Sequence, residues 1–184
     1  MSDFTFRVCI FGDGGVGKTT LTERYLTGLF KDNINTTVGS DFYKKSLIIE
    51  GKEVLLQIWD FGGEIQFRSQ DMNSYIIREA GGAIFMYDVT SYSSLNNLGG
   101  WIKSLNIGLK EEIPIMMVGG KKDLEKSRVV GKGIAEQFLR DSGLLELIEC
   151  SARTGENVNE IFEKLTLEMM NKAIYNKKEK DKVE

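Results

Sequence analysis

The densest chemistry in the sequence lies between Gly12 and Thr20, in the run Gly-Asp-Gly-Gly-Val-Gly-Lys-Thr-Thr. Gly12 to Thr19 fits the pattern G-x-x-x-x-G-K-[ST], set between an apolar strand-like run and a helical one. Glycines at Gly14, Gly15 and Gly17 let the backbone N–H groups from Asp13 through Val16 to Thr20 curl around anionic oxygens. The N-terminus of the following helix adds positive potential there. Lys18 supplies a point charge for β- and γ-phosphates, and the Thr19 hydroxyl can ligate Mg2+. A nucleoside triphosphate is the implied ligand, and this loop does not choose ATP over GTP.

Two later segments bear on the base. In Gly-Gly-Lys-Lys-Asp-Leu, Lys121-x-Asp123 is followed by Leu124. A carboxylate at Asp123 can accept from the N1–H and N2–H2 donors of guanine, whereas adenine offers an acceptor at N1 and would leave polar groups unpaired. Further on, Ser151-Ala152-Arg153 offers a backbone N–H for guanine O6. A third segment, Trp59-Asp60-Phe61-Gly62-Gly63-Glu64, carries the spacing D-x-x-G of a nucleotide-sensing turn.

These residues need a scaffold, and the pattern of the chain supplies one. Apolar runs of strand length at 6–12, 46–50, 54–60, 82–88, 113–119 and 144–150 alternate with helical patterns near 17–28, 68–80, 92–107, 131–141 and 156–175. That alternation predicts an α/β fold with a six-stranded sheet and helices on both faces. Glu50-Gly51-Lys52-Glu53 reads as a hairpin turn, giving one antiparallel edge strand beside five parallel ones. Leu56 and Ile58 alternate with Leu55 and Gln57, so the third strand is expected to have a wetter face.

The 184 residues, 41% hydrophobic and 28% charged, suit one domain with a sizeable core. The net charge of -3 provides no broad basic footprint for nucleic acid. The chain holds no His, which excludes Ser-His and Cys-His catalysis. Cys9 and Cys150 sit in apolar runs and read as buried thiols of a reducing compartment. Neither a signal peptide, nor a spanning apolar stretch, nor a lipidation signal is evident, so no intrinsic membrane anchor is expected.

The order of these segments resembles the Ras superfamily of small GTPases over about residues 6–175. The stretches Trp-Asp-Phe-Gly-Gly-Glu-Ile-Gln-Phe-Arg-Ser and Tyr-Asp-Val-Thr-Ser-Tyr are similar to its Rab-like branch. The resemblance implies a P-loop NTPase fold and a small GTPase domain over 1–175; the mixed charge of 176–184, without aromatics, predicts a frayed or disordered tail. Phe30 is then expected to stack on guanine, with Lys121, Asp123 and the Ala152 N–H around the base. Thr37, with Thr36 as the alternative register, reaches Mg2+ and the γ-phosphate. Asp60 stands behind the Mg2+ and the Gly63 N–H faces the γ-phosphate. Gly14 and Gly15 lie where bulk would obstruct an incoming arginine. The implied partners are effector, GTPase-activating and exchange proteins, meeting a cytoplasmic monomer through two switch loops at 31–43 and 61–78. Association with membranes would be peripheral, through partners or a tail.

Three departures from the family pattern stand out. Gly120 replaces the Asn that usually ties the base loop to the phosphate loop, which demands a substitute contact or weakens affinity. Glu64 occupies the place of the catalytic Gln; an ionised carboxylate can only accept, and it would face an anionic triphosphate. Slow hydrolysis follows from that repulsion, while general-base catalysis by Glu64 and a hydrolysis-deficient binding module are the alternatives; a P-loop ATPase is a more distant one. Phe61-Gly62 replaces a small pair, and paired glycines here and at Gly99-Gly100 are expected to loosen the backbone. Trp59 and Trp101 read as packing or partner-surface residues.

Overall fold

A computed structural model of the chain describes residues 2–32, 37, 39–63 and 75–181. The strands are β1 (Phe4–Phe11), β2 (Ser40–Ile49), β3 (Lys52–Phe61), β4 (Gly82–Asp88), β5 (Ile115–Gly120) and β6 (Glu146–Glu149). They form one sheet in the order β2-β3-β1-β4-β5-β6. Only the β2–β3 pair is antiparallel, in register from Ser40 opposite Phe61 to Ile49 opposite Lys52. The hairpin turn is therefore Glu50 and Gly51 alone, both at positive φ (49° and 74°), as a tight two-residue connection requires. Lys52 and Glu53, read from sequence as part of the turn, already belong to β3.

The helices are α1 (Lys18–Thr27), α2 (Tyr75–Arg78), α3 (Tyr92–Asn96), α4 (Leu98–Gly108), α5 (Lys132–Ser142) and α6 (Val158–Lys180), with a 3-10 helix at Lys122–Ser127. The sequence expects one helix over 92–107. The structure divides it at Asn97, whose backbone (φ -69°, ψ -17°) nonetheless stays helical. The last helix runs five residues beyond the expected 175. Lys177, Lys178 and Lys180 in its final turn complement the negative end of the helix dipole.

Alternation along the strands sends side chains to two cores. Val8 and Ile10 of β1 join Leu21, Tyr25, Phe162, Leu165 and Met169 beneath α1 and α6. Cys9 and Phe11 join Phe61, Phe85, Leu98, Trp101 and Ala135 on the opposite face. In β3, Val54, Leu56 and Ile58 are buried while Leu55, Gln57 and Trp59 are only half-buried, so the wetter face is real. Both thiols are fully buried, and burial pushes each well above its ordinary range.

The parallel strands β1, β4 and β5, with β3, all point their carboxyl ends to one edge of the sheet. Loops leaving such an edge line the crevice where α/β sheets hold ligands.

Gly99 lies within α4, and a Cβ added there meets nothing within 4 Å. Gly99→Ala should therefore stabilise the fold by about 0.5–1 kcal/mol through reduced backbone entropy. Thermal unfolding should show a rise of about 1–4 °C, and an unchanged or lowered Tm would show that this glycine serves a purpose packing does not reveal.

Candidate functional site

The turn after β1 is built by glycines in conformations closed to other residues. Gly12 has φ 142° and lies against the Met86 carbonyl, and Gly17, at φ 104°, precedes the first residue of α1. No side chain caps α1, so its first N–H groups are left for a ligand in the adjoining cleft. Lys18 folds back over the loop and donates to the carbonyls of Gly12 and Asp13, both at 2.9 Å. Burial lowers its pKa to about 8, against the pull of the Asp60 and Asp13 carboxylates.

Beside Lys18 stands Asp60 at the end of β3, fully buried. Its Oδ2 accepts from the Thr19 hydroxyl at 2.5 Å, and Thr19 Oγ1 lies 2.8 Å from Thr37 Oγ1. The other oxygen, Oδ1, is buried without a hydrogen-bond partner among the described residues. Burial raises the Asp60 pKa to about 6, opposed by the Thr19 hydrogen bond and the Lys18 charge. Two hydroxyls and an unsatisfied buried carboxylate oxygen are a hard oxygen donor set, which fits Mg2+. Thr37 holds this place by direct contact; Thr36 lies outside the described residues.

The second loop touches the first. The Gly14 N–H donates to the Gly63 carbonyl at 3.1 Å, and the Gly62 N–H donates to the Gly39 carbonyl at 2.7 Å. A Cβ at Gly62 would stand 2.7 Å from the Thr37 carbonyl, and one at Gly63 would stand 2.1 Å from the Gly14 nitrogen. The paired glycines thus permit close approach of three backbones, a constraint that conformational freedom alone did not suggest. Phe61 is no loose substitute either: it is buried and stacks on Phe11 at 4.9 Å, which in turn stacks on Phe85 and Trp101. Glu64, expected at the reacting phosphate, lies outside the described residues, as do 33–36, 38 and 65–74 of the two expected switch loops.

The base-side loops gather where the sequence expects them. Asp123 Oδ1 accepts from the Ser151 hydroxyl at 2.6 Å, and Ser151 Oγ accepts from the Thr154 N–H at 3.1 Å. Lys121 is held at φ 63°, an uncommon left-handed conformation, with its ammonium 2.6 Å from Asp88 Oδ2. The 3-10 helix carrying Asp123 is anchored by Arg128, which makes a two-pronged contact with Glu149 of β6 (2.7 and 2.9 Å).

Two clefts lie along these loops. One, of about 280 Å3, is lined by Gly14, Gly15, Lys18, Thr19, Thr37 and Gly63; the other, of about 190 Å3, by Val16, Phe30, Met86, Asp123, Leu124, Ala152 and Arg153. Both are also lined by Gly17, Thr20, Asp32 and Lys121, so they form one continuous groove. A larger cavity, of about 500 Å3 between Ile102 and Leu144, gathers none of the residues singled out from sequence.

Sequence reasoning missed Asp32, Met86, Asp88 and Arg128. It also read Trp101 as a packing or partner-surface residue: the indole is buried, and its Nε1–H donates to Asp13 Oδ1 at 3.0 Å, beside the Asn97 amide on Oδ2 at 2.6 Å. An Asn four residues before a Trp on one helix face was the available signal. Trp59, half-buried, packs on exposed Phe42 of β2, with ring centroids 4.7 Å apart.

The fold, with a glycine-rich turn leading from β1 into α1 and a base-side pair of loops after β5 and β6, is that of the P-loop GTPases. Comparison with protein families matches residues 7–171 to the Ras family. Ras-related protein Rab-4A of Rattus norvegicus and of Homo sapiens are each 38% identical to this chain over 170 residues, covering 92% of it and 77% of the relative. Ras-related protein Rab-4B of Homo sapiens is 36% identical over 170 residues, 92% of this chain and 78% of the relative. The chain belongs to the Ras family of small GTPases and is Rab-like within it.

Trp101→Phe keeps the aromatic stack and removes the bond to Asp13. It should cost about 1.5–3 kcal/mol, the range for hydrogen bonds to charged groups, seen as a lower urea midpoint with unchanged slope. A midpoint within error of wild type would show that the remaining contacts of Asp13, the Asn97 amide among them, suffice to hold the loop.

Proposed function

We propose that this protein is a GTP/GDP-binding switch that hydrolyses GTP slowly with Mg2+ and presents residues 31–43 and 61–78 to protein partners. One observation carries the reading: the phosphate-side and base-side residues line a single groove and share Lys121 and Thr20 along it. In this reading residues 1–175 act as the GTPase domain, and 176–184 form a charged tail.

Phosphate oxygens would accept from the N–H groups of Gly15 to Thr20, and from Gly14 once its bond to the Gly63 carbonyl opens. The Lys18 ammonium would move from its carbonyl partners to the β- and γ-phosphates. Thr19 and Thr37 would hold Mg2+ through their hydroxyls, with Asp60 behind them. When bound, Mg2+ would neutralise phosphate charge. Phe30 and Leu124 cover the base, Asp123 accepts its donors, and the Ala152 N–H meets O6 beside Ser151 and Arg153. In this reading the switch works through Thr37 and Gly63, which would reach the γ-phosphate from two loops that touch each other and Gly14.

Glu64 sets the rate. Its carboxylate cannot donate to the γ-phosphate, and repulsion at 4 Å is worth about 1–4 kcal/mol in water-like to protein-surface dielectric. Intrinsic turnover is accordingly slow, and an activating protein offering an arginine past Gly14 would raise it. An exchange protein would release GDP. Kinship to Rab-named proteins favours a role at the cytoplasmic face of membranes, held there through partners or a tail.

Purified protein should retain GDP or GTP, and ATP at equal concentration should not displace it. Asp123→Asn should weaken guanine-nucleotide binding by about a hundredfold by leaving buried donors poorly matched. Unchanged affinity, or ATP competing equally, would sink the guanine reading.

For hydrolysis, single-turnover assays should find Glu64→Gln about tenfold or more faster than wild type, the repulsion having been removed. A Glu64→Gln variant without activity would instead make Glu64 the general base, and no GDP from wild type on long incubation would make the protein a binding module.

A further inference from the structure

The replacement of the usual Asn by Gly120 leaves a gap between base loop and phosphate loop, and the structure fills it from β4. Met86 is 2% exposed, and three glycines surround it. A Cβ at Gly120 would stand 2.3 Å from the Met86 Cε methyl, and a Cβ at Gly17 would stand 3.5 Å from it. Gly12 approaches the Met86 carbonyl so closely that a Cβ there would lie 2.2 Å from the oxygen. Backbone and side chain of Met86 therefore touch the beginning of the phosphate loop, its end, and the strand that delivers Lys121 and Asp123. The thioether also lines the base-side cleft together with Val16, Gly17 and Asp123.

We propose that Met86 is a positioning residue for bound nucleotide: its thioether occupies the room released by Gly120 and ties the base loop to the phosphate loop by packing instead of by an amide hydrogen bond. The proposal rests on the nucleotide reading given above and names a contact on which that ligand's retention depends. The physical grounds are direct. Met is unbranched and polarizable, so it can fill an irregular gap between two backbones. A side chain at 120 displaces the Met86 methyl from its present place, because a Cβ there would stand 2.3 Å from it, and the methionine would have to repack in a buried junction. Loss of the methionine leaves a void at the junction of both loops, and the surrounding backbone closes such voids only in part. With Met86 shortened, the Val16 carbonyl at 3.0 Å becomes the tightest neighbour of a side chain at 120, and it has to give only by a few tenths of an ångström.

The consequence is a reversal of sign. In the natural chain, restoring the family's Asn through Gly120→Asn drives the amide into the methionine and should speed GDP dissociation by about tenfold or more. Met86→Ala alone should speed it by about tenfold. In the Met86→Ala background, Gly120→Asn should slow dissociation again, to within about threefold of wild type, where independent effects would multiply to about a hundredfold. Met86→Leu, which conserves volume, should stay within about threefold of wild type.

The experiment is displacement of a fluorescent GDP analogue from wild type and the four variants, with thermal unfolding of the same nucleotide-free proteins alongside. Slower release on adding Gly120→Asn to Met86→Ala, with the opposite effect in wild type, supports the strut; a purely structural defect would lower Tm without reversing the off-rate. Multiplicative off-rates overturn the proposal. If the wild type instead holds ATP as well as GDP, the guanine reading falls while the cycle is still read on either nucleotide. Wild type retaining no nucleotide overturns both.

Discussion

Two opposite charges withdrawn from water at one edge of the sheet set the terms for the rest of the structure. Lys18 is 6% exposed and Asp60 is fully buried. Taking such ions out of water costs several kcal/mol each, and an incomplete set of partners leaves much of that cost standing. The surroundings offset only part of it. Lys18 finds two loop carbonyls and Asp60 finds one hydroxyl, while Oδ1 is left unsatisfied. Burial accordingly pushes both groups toward their neutral forms, to about 8 and about 6. A phosphate beside Lys18 and a divalent cation beside Asp60 would complete what the protein leaves incomplete. The site thus holds affinity in reserve, paid for by the two cores below it.

Those cores explain how the reserve is kept in place. β1 runs between β3 and β4, so the phosphate loop leaves from the centre of the sheet with ordered strands on both sides. Phe11, its last residue, stacks on Phe61, Phe85 and Trp101, joining the root of the phosphate loop to the root of the D-x-x-G turn. Trp101 and Asn97 then grip Asp13 from α4 and its N-terminal flank. Packing below and hydrogen bonding above therefore meet at Trp101, which stacks on Phe11 and donates to Asp13. Local rigidity there matters more than average stability, because a displacement of about 1 Å in a positioning group is costly to catalysis.

Much of this was legible in the sequence, because each legible part depends on local pattern. Gly12 to Thr19 carries its own geometry in its glycines, and the strands reveal themselves by apolar runs and alternation. The β2–β3 hairpin was legible from Glu50-Gly51 for the same reason. What escaped depends on contacts distant along the chain. Met86 looks like any core methionine until Gly120, thirty-odd residues later, is placed against it. The Gly62-Gly63 pair looks like looseness until Thr37 and Gly14 are brought alongside. Arg128 resembles a surface arginine until β6 brings Glu149 to it. Non-local pairing of side chain with vacancy leaves no periodic mark in one sequence.

Contact between the two nucleotide-sensing loops bears on how the switch can work. Thr37 is tied to Thr19 by its hydroxyl, and its carbonyl lies against Gly62, which bonds Gly39. Gly63 rests on Gly14 through its carbonyl. A displacement of either loop therefore has to break or rebuild contacts of the other, and both abut the phosphate loop. Closely packed backbones of this kind favour discrete arrangements over graded drift, since small shifts meet steep repulsion. Contact between the loops then needs no separate coupling element: three glycine-bearing backbones share one small volume.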